Sequence, residues 1–193
     1  GYTWDEGKTY PFRGMGVGLM PTLREVFEAI PDGRFLINFK SRRAEEGEVL
    51  AAMLNANPEW EKQVFGVYGG EKPTRIVRNL VEGMPGYDKS SIVSCLGQYV
   101  AMGWSGFVPG VCRNTFVAVP GNIAPWLWGW PHKFTQRMAD AGSRVILLGP
   151  FDGGGGSAGI DFEEQLGMVP ENFDGLVWTN RVETLGNLIG QKD

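Results

Sequence analysis

The chain has 193 residues, 42% hydrophobic and 21% charged, which suffices for one domain with a sizeable core. Its formal net charge of −4 and pI near 5.1 give nucleic-acid binding no electrostatic support. No apolar run approaches the roughly 20 residues that a membrane-spanning helix needs, and two cysteines, Cys95 and Cys112, make neither a disulfide framework nor a zinc-binding spacing.

Residues 1–20 read as an irregular, glycine-rich loop. Thr22, with Glu25 three residues on, forms a capping box that opens a short helix, and Asp32-Gly33 is a turn. Residues 35–40 predict a strand with Phe35, Ile37 and Phe39 on one face and Leu36, Asn38 and Lys40 on the other. Either Lys40 ends that strand in water, or Asn38 and Lys40 face a substrate, since a buried lysine needs an anion or an acceptor. A charged helix over 44–55 and a strand over 64–68, stopped by Gly69-Gly70, come next. A helix over 73–81 follows, with proline in its first turn. Residues 90–102 predict a helix and 106–111 a strand, with 115–119 a candidate for another. Residues 130–141 read as a helix closed by Gly142, and 144–148 as an apolar strand. Asp161 with Glu164 suggests a second capping box, 176–179 is the last strand and 183–189 the last helix.

This alternation predicts βα units around a parallel sheet with five main strands, and in such folds sites lie at the carboxyl ends of strands. Those ends would offer Asn38 and Lys40, then Tyr68 above the space left by Gly66, then Cys112, Arg113 and Asn114. The later ends offer Asp152 with the glycines 153–156, and finally Trp178, Thr179, Asn180 and Arg181. The set suits an anion: Lys40 supplies a point charge, Arg113 a planar fork unless it is simply solvated, and the glycine loop backbone N–H groups. Tyr68 and Trp178 are either core aromatics or, for Trp178, a stacking surface for glycerol or sugar. His132, the one histidine, opens a helix and suits a solvated or capping role. The tryptophan cluster 126–130 is expected to cover the wall of the fold, with no basic residue flanking it to meet anionic lipid.

Several segments together resemble one family. GLMPTLREVFEAIPDGRFLINFK (18–40), GWPHKFTQRMADAGSRVILLGPFDGG (129–154) and FDGLVWTNRVETLGNLI (173–189) follow the order and spacing of the glycerophosphodiester phosphodiesterases. The resemblance runs over essentially the whole chain. It implies an α/β fold, a (β/α)8 TIM-type barrel of which this chain supplies about the last five strands. Residues 1–193 would be the C-terminal part of one barrel domain, with 1–20 the tail of an insertion and 21–193 the barrel units. It implies hydrolysis of glycerophosphodiesters to glycerol 3-phosphate and an alcohol by the complete protein, using two histidines and a divalent cation, Mg or Ca. The strands carrying those histidines have no counterpart here, so the isolated chain is expected to be inactive. From their places at the strand ends Lys40 would be catalytic and Tyr68, Arg113, Asn114 and Trp178 would bind substrate; by the resemblance Asn38 would occupy a metal-binding position. The family has Glu there, and a neutral amide is the weaker ligand for a hard cation. A non-catalytic barrel holding a phosphorylated or sugar ligand is the alternative.

Overall fold

The computed structural model describes residue 18, residues 20–154 and residues 158–189. The expected insertion tail therefore lies outside the described residues except for Gly18 and Met20, as do Gly155 and Gly156 of the glycine loop.

Helix α1 (Leu23–Ala29) opens on the expected capping box: the Thr22 hydroxyl accepts from the Glu25 N–H and the Glu25 carboxylate accepts from the Thr22 N–H. Strand β1 (Phe35–Phe39) follows, then α2 (Ala44–Ala56), and α3 (Pro58–Gln63), a short helix started by its proline. After β2 (Val64–Gly69) and α4 (Glu71–Leu80) comes β3 (Gly86–Asp88), whose three residues are too few to show an alternating pattern in sequence. Asp88 ends β3 and caps α5 (Lys89–Met102) by accepting from the Ser91 N–H.

Residues 106–111 are not a strand. They form a loop that enters the 3-10 turn Gly110–Cys112, and the strand here is β4 (Phe116–Pro120). Helix α6 (His132–Asp140), β5 (Arg144–Leu148), the 3-10 helix Glu163–Met168, β6 (Leu176–Val177) and α7 (Val182–Ile189) complete the order. The residue that reaches back at the start of that 3-10 helix is Gln165, not Glu164: its side-chain oxygen accepts from the Asp161 and Phe162 N–H groups.

Among the described residues six strands form two parallel three-stranded sheets, β1-β2-β3 and β4-β5-β6. They do not close into a barrel, so the expected TIM-type architecture is corrected to a mixed α/β fold with two small sheets. The break falls between β3 and β4, and its cause is local. The backbone turns left-handed at Asn114 (φ 50°) just before β4. The first N–H groups there are drawn toward β5: Asn114 N–H donates to the Ala141 carbonyl and Thr115 N–H to the Ser143 hydroxyl. Across the break runs a side-chain link, the Thr115 hydroxyl donating to the Gly86 carbonyl at 2.5 Å.

Strand alternation sorts the core. Phe39, with Phe35 and Ile37, faces Phe27, Leu50, Leu54 and Val77 of the helices outside the first sheet. Val117, Val119, Val145 and Leu147 face Leu96, Tyr99, Phe134 and Met138 outside the second. Phe116, Ala118, Ile146 and Leu148 point inward with Tyr87, meeting Leu36, Phe65, Tyr68 and Trp178. Strands buried on both faces explain the near-continuous apolar runs of β4 and β5. The space expected above Gly66 is taken by the Phe116 ring, which a side chain at 66 would strike.

The two cysteines are joined. The Cys95–Cys112 disulfide ties α5 to the 3-10 turn before β4, with both residues buried. Spacing alone did not suggest the pairing.

Candidate functional site

Three of the expected residues converge at the carboxyl ends of the strands. Asn38 and Tyr68 are partners across β1 and β2. Burial pushes the Tyr68 hydroxyl up, and the Asn38 amide opposes the shift. The Tyr68 ring stacks on Tyr87, with centroids 5.3 Å apart, and meets Trp178 edge-on at 5.5 Å. Tyr68 and Tyr87 lie in the first sheet, while Trp178 directly follows β6 in the second. The aromatic group thus closes the gap between the sheets at this end. Gly69 (φ 106°) lets the chain turn away tightly, because a side chain there would strike the Phe39 carbonyl and the Asn38 amide oxygen.

Tyr87 was not anticipated. Its ring is buried, its hydroxyl has no hydrogen-bond partner among the described residues, and burial pushes its ionisation far up, helped by Tyr68. Its neighbours Pro85 and Gly86 lie outside any recognisable strand pattern, so the sequence carried no signal for it.

Trp178 is held from both sides: its N–H donates to Leu147 O and its carbonyl accepts from the Ile160 N–H. Beyond it, the Asp161 carboxylate accepts from the Thr179 hydroxyl, the Asn180 N–H and the Asn180 amide. Burial pushes that carboxyl up, but the Asn180 and Thr179 hydrogen bonds, with the Arg181 charge, hold it below the usual carboxylate range. Asp152 is exposed and accepts from the Gly154 N–H, so the described part of the glycine loop folds on its own side chain.

Lys40 stands exposed one residue beyond β1, at the same end as Asn38. A hollow of about 700 Å³ opens beside Gly69 and Gly70, lined by Arg42, Lys72, Lys89 and Ser90 among others. The acids on its wall are committed, Glu71 to Arg75 and Asp88 to the α5 cap and Arg75. Arg42, Lys72 and Lys89 each follow a strand end by only a few residues, a position that could have marked them in sequence.

Arg113 and Asn114 do not join this group. Because the strand begins at Phe116, they precede β4 and lie at its amino end, opposite Asn38 and Tyr68. Arg113 donates to the Val108 carbonyl, and the Asn114 carbonyl accepts from Arg78. His132 is the exposed first residue of α6. The tryptophan cluster divides: Trp130 packs at a tilt against Phe134 and Phe173, while Trp126 and Trp128 are exposed.

The residues present do not fit the implied divalent cation. Among the described residues no group of three or more His, Cys, Asp or Glu side chains is placed to hold a metal ion, and Asn38 offers only a neutral amide oxygen.

No family model, no curated protein and no solved structure matches this chain.

Proposed function

We propose that this chain forms the ligand-holding part of a phosphoric diester hydrolase, taking the glycerol phosphate portion of a glycerophosphodiester at the carboxyl ends of its strands. The resemblance in segment order supports the substrate class. The observation that carries the reading is the convergence of Asn38, Tyr68 and Trp178 at the strand ends, where Arg42, Lys72 and Lys89 line a hollow that begins at Gly69, next to Tyr68. An aromatic edge and an amide suit a small polyol, and Lys40, Arg42, Lys72 and Lys89 suit its phosphate. In this reading Lys40 acts on the phosphate as a charged contact, while Arg113 and Asn114 have no part. The hydrolytic groups are assigned to residues other than those of this chain, so it should release no glycerol 3-phosphate from glycerophosphocholine by itself.

The test is titration of the chain with sn-glycerol 3-phosphate, followed by calorimetry or amide NMR. Saturable binding is expected, stronger than for glycerol. Lys40→Met should weaken it about tenfold, the order of one charge-assisted hydrogen bond, and Trp178→Ala should weaken it without loss of fold. Binding that is absent, or unchanged in both variants, would sink the proposal.

A further inference from the structure

The exposed aromatic surface around α5 and the 126–130 segment is separate from the strand ends. Trp126 is 78% exposed and Trp104 69%, and Val100, Met102, Phe107 and Trp128 are exposed as well. Hydrogen bonds tie the 126–130 segment to the end of α5 and to the Gly103–Ser105 turn. The Trp128 indole N–H donates to the Val100 carbonyl, and the Trp128 carbonyl accepts from the Tyr99 hydroxyl. Arg137 donates to that same hydroxyl and to the Gly103 carbonyl, directly before Trp104. A soluble surface rarely gathers so many large apolar side chains without a partner.

The charges around the patch identify the partner. Residues 89–139 contain no Asp or Glu, although the chain has 22 acids and a net charge of −4. The same stretch carries Lys89, Arg113, Lys133 and Arg137. Three of these border the patch: Arg113 bonds to the Val108 carbonyl beside Phe107, Arg137 lies under Gly103–Ser105, and Lys133 packs at Gly129. The expectation that no basic residue meets this cluster is thereby corrected, since the cations come from other elements. Tryptophan in place of leucine or isoleucine is the choice for a boundary where one side of the ring is apolar and the other wet. A basic rim around such rings matches an anionic headgroup layer. Among the described residues no helix is long and apolar enough to cross a membrane, so the contact would be peripheral.

We infer that this face, centred on Trp104 and Trp126 and rimmed by Arg113, Lys133 and Arg137, docks the protein on an anionic lipid surface.

The experiment is flotation with vesicles of phosphatidylcholine alone and of phosphatidylcholine mixed with phosphatidylglycerol. The chain should float with the mixed vesicles, less with the neutral ones, and less as salt rises. Trp104→Ser combined with Trp126→Ser should cut the partition about tenfold or more, the scale of losing part of two rings' burial. Both side chains are largely exposed, so far-UV circular dichroism should be unchanged. Brominated lipid in the mixed vesicles should quench the wild-type tryptophan fluorescence, a reading that needs no variant. Failure of the wild type to float with mixed vesicles, or fluorescence left unquenched, overturns the inference. Self-association without lipid that disappears in the double variant also overturns it, because the face would then join two copies.

Discussion

Tyr87 poses the sharpest residue-level question. A hydroxyl buried without a partner costs roughly 1–3 kcal/mol relative to one left in water, and this one is enclosed by Tyr68, Phe116 and neighbouring apolar groups. Tyr87→Phe should therefore stabilise the chain by about 1 kcal/mol, read as a higher urea midpoint at unchanged slope. A lower midpoint would mean that the hydroxyl has a partner in solution. Part of the candidate site's geometry was legible in advance: Asn38, Tyr68 and Trp178 stand at or just beyond strand ends, where alternation with period two aims them. Arg113 was misplaced for the converse reason: a strand assigned to 106–111 puts the next residues at the wrong end. Tyr87 was missed because β3 has only three residues.

At the scale of elements, Asp161 joins the approach to the 3-10 helix to the end of β6 through Thr179 and Asn180. Its carboxyl is held below the usual range in the folded chain. A depressed folded value means that the unfolded chain binds the proton first. The stability gained from this group is complete above the unfolded value, about 4, and is lost as pH falls through the folded one. Asp161→Asn should lower the unfolding midpoint near pH 7, with the gap from wild type shrinking below about pH 4. A gap that stays constant with pH would remove the ionised carboxylate from the account. The helices were legible where caps and turns mark them: Thr22-Glu25, Pro73 in the first turn of α4 and the positive-φ Gly142, while the short α3 was not read. The second capping box was read on the wrong side chain, since Glu164 and Gln165 stand next to each other and only geometry selects Gln165.

For the molecule as a whole, the sequence made βα units and parallel strands legible but not how the strands are shared out. Alternating patterns say which face of a strand is buried. They do not say whether β3 and β4 pair, which here turns on a left-handed residue at Asn114 and a hydroxyl at Ser143. The result is two half-folds, each with its own helix-covered outer core, meeting through inward side chains and the Thr115–Gly86 hydrogen bond.

Helix α5 follows the last strand of the first half, and the turn Gly110–Cys112 leads into the first strand of the second. The Cys95–Cys112 bond runs beside the backbone as a second covalent strap within the core outside the second sheet, enclosing a span in which Trp104 and Phe107 are exposed. A single chymotryptic cut at either aromatic would sever the polypeptide and leave both pieces attached. Nicked protein should migrate as one band on a denaturing gel without reductant and as two after thiol treatment. Two bands without reductant would show that the strap is absent.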